Sequence, residues 1–138
     1  MDSPRSPNAP PQRAPNTRAL RVLVVEDDAD LSEMTVELLT LFGHTVESAA
    51  DGPGALATAT RGDFDVVLLD LSLPGFSGLE VARLLRASPA GARPYIIAMS
   101  GYSREEDVAR ATEAGCDTYL VKPVEFDRLQ SLLAARGA

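Results

Sequence analysis

Asp65-Val66-Val67-Leu68-Leu69-Asp70, followed by Leu71-Ser72-Leu73-Pro74-Gly75, delivers a carboxylate to the end of an unbroken apolar run. A continuous Val/Leu run bounded by an acidic segment and a Pro-Gly turn has the form of a strand buried on both faces of a parallel sheet. In open parallel sheets ligands bind outside the carboxyl ends of the strands, which puts Asp70 where such a fold does its chemistry. A strand-end Asp also serves simply to start a turn. The other strand ends therefore decide what Asp70 is for.

Upstream, Leu20-Arg21-Val22-Leu23-Val24-Val25 is apolar and β-branched and ends in Glu26-Asp27-Asp28, which reads as the first buried strand. Leu31, Met34, Leu38 and Leu41 recur at helical spacing up to Gly43, a residue type that accepts the left-handed conformation past a helix end. Thr45 to Ala49 reads as a short strand, and Asp51-Gly52-Pro53 opens a second helix that closes at Gly62. Downstream, Ser77 can cap a helix containing Leu79, Ala82 and Leu85, which stops before Pro89 and Gly91. Tyr95 to Ser100 forms a fourth strand, and Ser103-Arg104-Glu105-Glu106 has the spacing of a capping box for a helix running to Gly115. Thr118 to Val121 is a fifth strand ending at Lys122-Pro123, and Phe126, Leu129, Leu132 and Leu133 mark a last helix.

Five strands alternating with five helices predict an α/β fold, a doubly wound parallel sheet covered on both faces. Right-handed crossovers favour the flavodoxin-like order 2-1-3-4-5, with the active crevice at the switch between strands one and three. Residues 1–19 hold five of the ten prolines and no apolar periodicity, so they read as a disordered or polyproline-like tail ahead of a domain over 20–138.

The 138 residues suit one domain and leave no room for a second ordinary one, so any output domain is expected elsewhere. The initiating Met and Pro-rich lead-in favour a stand-alone protein over a fragment of a hybrid kinase. No apolar run reaches membrane-span length, and the first residues are Pro-, Ser- and Arg-rich without an apolar centre, so neither a signal peptide nor membrane contact is expected. The net charge is −7, and three of the thirteen basic residues fall in the tail, leaving the domain the more acidic part. That balance argues against direct nucleic-acid binding, which relies on clustered Lys and Arg. The lone Cys116 excludes an internal disulfide, fits a reducing cytoplasm and reads as a small packing residue.

In the 2-1-3-4-5 order, Glu26, Asp27 and Asp70 converge at one sheet edge, with Asp28 close by. Like charges so placed need raised pKa values or a counter-ion, and an oxygen-only donor set suits Mg²⁺. Strand four brings Ser100 to the same edge, and strand five brings Lys122, the only lysine against twelve arginines. A sequence that otherwise uses Arg places a compact ammonium there. The set of acidic metal site, acceptor carboxylate, hydroxyl and cation fits phosphoryl transfer, where catalysis is mostly positioning and charge neutralisation.

Val24-Val25-Glu26-Asp27-Asp28, Leu68 to Gly75, Met99-Ser100-Gly101 and Tyr119-Leu120-Val121-Lys122-Pro123 together resemble the successive signatures of response-regulator receiver domains of two-component signalling. The resemblance runs from about Leu20 to the C-terminus. It implies that Asp70 accepts a phosphoryl group from a phosphohistidine of a histidine kinase or histidine phosphotransfer protein. It implies that Glu26 and Asp27, with Asp70 and the main-chain carbonyl of Ser72, hold Mg²⁺. Ser100 matches the hydroxyl that turns toward the phosphoryl group, Lys122 the cation that pairs with it, and Tyr119 the aromatic switch. Pro123 matches a position preceded by a cis peptide bond. The output surface is expected on the fourth helix, fifth strand and fifth helix, facing an unidentified downstream protein. Ser72 and Tyr102 border the phosphoryl site and are expected to set the phosphorylated lifetime.

Two other readings compete. A phosphatase resembling the haloacid dehalogenase family needs an acid two positions after its aspartyl nucleophile, and Ser72 stands there. A receiver-fold scaffold without phosphorylation would have no need for the full constellation. The expectation is thus a signalling domain whose only chemistry is its own phosphorylation and dephosphorylation, not an enzyme.

Overall fold

The structure is a computed structural model that describes residues 18–88 and 94–137. The tail residues 1–17 and the Pro89-to-Gly91 helix stop lie outside the described residues. In order come β1 (Arg21–Val25), α1 (Ala29–Leu41), β2 (Thr45–Ala49), α2 (Gly52–Arg61), β3 (Val66–Asp70), α3 (Gly78–Ala87), β4 (Tyr95–Ser100), α4 (Glu105–Ala114), β5 (Thr118–Val121) and α5 (Phe126–Gly137). The five strands form one parallel sheet in the order β2-β1-β3-β4-β5, the flavodoxin-like arrangement expected from the sequence.

Each central strand feeds two cores because successive side chains point to opposite faces. Leu23, Val25, Val67, Leu69, Ile96 and Ala98 pack with Ala55, Val81, Ala82, Ala111 and Ala114 of α2, α3 and α4. Val22, Val24, Val66, Leu68, Ile97 and Met99 face α1 and α5 through Leu39, Leu129 and Leu133. Every residue of β3 is buried, and a fully buried Val or Leu contributes about 1.5–3 kcal/mol. This two-sided burial makes Asp70, at the end of that strand, an unusual place for a charge.

Local signals set most element ends. Asp51 accepts the Gly54 N–H at the start of α2, and Ser77 accepts the Glu80 N–H at the start of α3. Gly43 and Gly115 follow α1 and α4 with φ of 93° and 106°, the left-handed region that favours glycine.

The structure bears out the helix read over Leu31 to Leu41 and shows which face it buries, and it corrects the start of α4. The α1 residues Met34 and Leu41 are each 51% exposed, whereas Leu39 and Ser32 point inward. The Leu31-Met34-Leu38 stripe instead lines a cleft between α1 and α5, opposite Phe126 and Leu129 and beside Lys122. The capping box at Ser103 does not form. Helix α4 starts one residue later than that spacing requires, its N-cap is Arg104, and no side chain caps it. The Arg104 guanidinium instead pairs with Asp107 at 3.0 Å and Glu106 at 3.3 Å.

The Arg18 N–H donates to the Gly137 carbonyl, and its guanidinium reaches Asp65 at 3.2 Å. These two contacts tie the exposed Arg18 to the end of α5 and to Asp65 ahead of β3.

Candidate functional site: an acidic cluster at the sheet edge

The strand registers bring Asp70 level with Met99 of β4 and Ser100 level with Val121 of β5. Glu26 follows β1 and Lys122 follows β5, so the four strand ends expected to carry chemistry meet at the carboxyl edge of the sheet. Three of these side chains touch. Lys122 Nζ lies 2.8 Å from Glu26 Oε1 and 3.2 Å from Asp70 Oδ2.

Glu26 and Asp70 are buried, at 3% and 2% exposure, while Asp27 is exposed. Each of these three acids offers an oxygen within 4.8 Å of the others. An all-oxygen set with one solvent-facing member fits a hard divalent cation that keeps part of its water, as Mg²⁺ does. Asp28 takes a different role from its neighbours. Its carboxylate N-caps α1 by accepting the Leu31 N–H at 3.1 Å, and its own N–H donates to Glu26 Oε2 at 3.3 Å.

The two buried acids differ electrostatically. Burial pushes the Asp70 carboxyl up, but the Ser72 N–H at 2.9 Å, a hydrogen bond shared with Glu26 and the Lys122 charge together hold it below the usual carboxylate range. Burial dominates at Glu26, and the adjacent Asp70 adds to it, so that carboxyl is raised despite the Lys122 bond. Burial depresses Lys122, but the two acids outweigh that and raise it, keeping the ammonium charged. Of the two buried acids, Asp70 is therefore the one held as a carboxylate.

Gly78, which the sequence reading passed over, lets α3 start against the acceptor loop. A Cβ there would stand 2.6 Å from the Asp70 carbonyl oxygen and 2.6 Å from Leu71 Cα. The signal was a glycine directly after a helix-capping serine.

Ser100 is 3% exposed, and its Oγ accepts the Tyr102 N–H at 3.2 Å. Tyr119 packs partly against the α2–α4 core, and its hydroxyl donates to the Tyr102 carbonyl at 2.6 Å. One peptide segment at Tyr102 therefore joins both predicted switch residues, a link that side-chain motifs could not reveal. Tyr102 itself is 61% exposed. The Lys122 N–H donates to the Ser100 carbonyl at 2.7 Å, and the Lys122–Pro123 peptide is cis, as the resemblance implied.

The fold and the charged strand ends define a receiver-type signalling module. The sequence model of the response regulator receiver domain matches residues 22–134, and the chain belongs to that family. The transcriptional regulatory protein TcrA of Mycobacterium tuberculosis is 34% identical over 131 residues, which cover 95% of this chain and 51% of that protein. The chain spans about half or less of the length of the first curated relatives it matches. Among solved structures, the receiver domain of the sensor histidine kinase PA1611 from Pseudomonas aeruginosa, with a magnesium ion coordinated in its active site cleft, is 31% identical with a TM-score of 0.78. That match covers 88% of this chain and 100% of that one. The Ssk1 receiver domain of Saccharomyces cerevisiae, crystallised with the histidine phosphotransfer protein Ypd1, gives a TM-score of 0.80 at 25% identity, covering 88% of this chain and 90% of the matched chain. Among the described residues, no helix is long and apolar enough to cross a membrane.

Proposed function

We propose that the domain takes a phosphoryl group from a partner's phosphohistidine onto Asp70 and reports it through the face formed by α4, β5 and α5. The observation that carries this reading is Asp70 itself, a buried carboxylate held ionised beside two further acids and the only lysine of the chain. An Asp70 oxygen attacks phosphorus, the P–N bond to the donor imidazole breaks, and its electron pair stays on the leaving nitrogen. The product is an acyl phosphate, later hydrolysed by water back to the Asp70 carboxylate and inorganic phosphate.

Glu26, Asp27 and Asp70, with the main-chain carbonyl of Ser72, would hold Mg²⁺. That ion, when bound, supplies positive charge that offsets the repulsion between the acceptor and an incoming anionic phosphoryl group. The Ser72 N–H fixes one Asp70 oxygen and the Lys122 ammonium faces the other, so the acceptor is oriented before a donor arrives. Lys122 also provides a point charge for the transferred group. Ser100, on turning toward that group, gives up its bond from the Tyr102 N–H. The Tyr102 carbonyl, which receives the Tyr119 hydroxyl, carries the same displacement to β5. Two discrete hydrogen-bond arrangements form the bistable element that a switch needs.

The partner supplying the group is a histidine kinase or histidine phosphotransfer protein, a reading supported by the crystallised complex of the similar Ssk1 receiver with Ypd1. The downstream partner is a protein and not a nucleic acid, in keeping with the net charge of −7. The single buried free thiol accords with a reducing cytoplasm.

A small acyl-phosphate donor with Mg²⁺ tests the reading. One phosphoryl group should appear on the wild type and none on Asp70→Asn. Equal labelling of that variant removes Asp70 as the acceptor, and no labelling of either form favours an unphosphorylated scaffold.

A further inference from the structure

The two ends of α4 are held very differently, and this difference rests on three separate observations. Burial comes first. The inward residues of α4 are Ala111 and Ala114, both in its second half, while Glu105, Glu106, Val108, Ala109 and Arg110 are exposed. Capping comes second. The N-terminal end has no side-chain cap and is held by side chains only through the Arg104 pairs with Glu106 and Asp107 of its own first turn, whereas the C-terminal end closes through Gly115 in the left-handed conformation, with Gly115 N–H bonded to Thr112 and Cys116 N–H to Ala111.

The third observation is Arg86, at the end of α3, with its side chain only 14% exposed. Its Nε donates to the Gly115 carbonyl at 2.9 Å, Nη1 to the Pro94 carbonyl at 2.7 Å, and Nη2 to Asp117 Oδ2 at 2.6 Å. The same Asp117 oxygen accepts the Ile96 N–H at 2.8 Å. A Cβ at position 115 would sit 2.5 Å from Arg86 Cγ, so the glycine is required for the guanidinium stem to pass. One planar fork thus fastens the end of α3, the start of β4 and the turn between α4 and β5.

We propose that Arg86 is a positioning residue that pins the C-terminal end of α4 as a pivot, so that the loose N-terminal half alone follows Tyr102. This rests on the reading of Ser100 and Tyr119 as switch residues, because their shared link to Tyr102 lies immediately before the loose end. A helix anchored at one end turns a small displacement of residues 101–104 into a swing of its exposed first turns. A helix free at both ends would shift bodily, its C-terminal turn included.

Amide hydrogen exchange on the unphosphorylated chain tests the pivot without any donor. The hydrogen-bonded amide of Val108, with those of Ala109 and Arg110, should exchange about tenfold or more faster than those of Gly115, Cys116 and Asp117, as expected for a locally opening segment beside a fixed one. Arg86→Gln should erase most of that contrast by accelerating 115–117. Arg86→Lys, which keeps a charge for Asp117 but loses the fork, should do so in part. Arg104→Ser exchanges the exposed Arg104 pairs with Glu106 and Asp107, worth little at a surface, for the missing side-chain cap far from the clamp, and should slow exchange at 108–110 while leaving 115–117 unchanged. It keeps the test decisive if Arg86→Gln does not fold. Uniform protection along the wild-type helix, a contrast that survives both Arg86 substitutions, or no slowing in Arg104→Ser would each overturn the pivot. A parallel sample treated with acetyl phosphate and Mg²⁺ separates the two ideas. Absence of label on Asp70 counts against the phosphoacceptor reading and leaves the exchange data to decide the pivot. With label present, chemical-shift changes within α4 should be confined to its first turns, up to about residue 110, in the wild type and extend through its C-terminal turn to 115–117 in Arg86→Gln, and identical patterns along the helix would overturn the proposal.

Discussion

The Lys122 ammonium lies closer to Glu26, at 2.8 Å, than to the acceptor Asp70, at 3.2 Å, so one cation serves two buried acids. Removing it leaves both carboxylates without a charge partner. Lys122→Met should therefore destabilise the metal-free protein by about 1–3 kcal/mol, the range for stranding a buried charged group, with its 26% exposure favouring the lower part. Added Mg²⁺ should raise the melting temperature more in the variant than in the wild type, because a divalent cation replaces the lost charge. Urea unfolding with chelator and thermal melts with Mg²⁺ measure both effects. An unchanged stability in chelator would mean that the pair contributes nothing net.

Asp65 sits at the opposite end of β3 and links it to β1. Burial raises its carboxyl, but the Arg21 N–H at 2.8 Å and the Arg18 guanidinium outweigh that and hold it below the ordinary value. A folded-state pKa below the unfolded one gives stabilisation that is complete above about pH 4 and is lost as pH falls through the folded value. Asp65→Asn should be less stable than wild type by about 1 kcal/mol at pH 7, with the gap closing on acidification below pH 4. Denaturant titrations at pH 7 and pH 3 test this, and a constant gap would refute it.

Cys116 is 7% exposed, and burial pushes its thiol up to about 11. Only the thiolate reacts, so iodoacetamide at pH 8 should label the native chain about a hundredfold or more slowly than the chain in urea. Comparable rates in the two states would show that the site opens readily.

Strand order and the meeting of Glu26, Asp27, Asp70 and Lys122 were legible because unbroken β-branched runs ending in charges leave few alternatives in a parallel sheet. The inward face of α1 was not. Met34 and Leu41 have the right spacing, but the sheet takes Leu39, and the competing stripe borders an open cleft. The start of α4 was misread because capping spacing is a local signal, and here it lost to Arg104 pairing with Asp107. Contacts in which a side chain meets main-chain atoms, such as Ser100 and Tyr119 on the Tyr102 peptide groups or Arg86 on the Gly115 carbonyl, leave no side-chain signature at the main-chain partner.

The Tyr119 hydroxyl gives that link a direct handle. Tyr119→Phe deletes the bond to the Tyr102 carbonyl while leaving the ring in its place. Stability should fall by about 0.5–1.5 kcal/mol, and Asp70 should still be labelled by an acyl-phosphate donor. Phosphorylation-linked chemical-shift changes at residues 118–121 should shrink. Full-sized changes there would show that the hydroxyl does not transmit the switch.

The lifetime of the phosphorylated form should depend on the side chains of Ser72 and Tyr102, whose main-chain N–H groups bond Asp70 and Ser100 respectively. Hydrolysis requires a water in line with the bond to Asp70 and a polar group that orients it. Ser72 gives its N–H to Asp70 Oδ1, and its short, exposed side chain orients water poorly. Tyr102 is 61% exposed, and its ring is large enough to cover the approach. Both features favour slow hydrolysis. Replacing them with groups that reach and orient water, as in Ser72→Asn combined with Tyr102→Glu, should shorten the lifetime in Mg²⁺ by about tenfold to a hundredfold, the range for one positioned acid–base contact. The labelled site should stay at Asp70, because neither change touches Glu26, Asp27 or Lys122. Decay of the labelled protein after donor removal gives the answer, and a lifetime that stayed the same or lengthened in the double variant would show that water access at these positions does not limit hydrolysis.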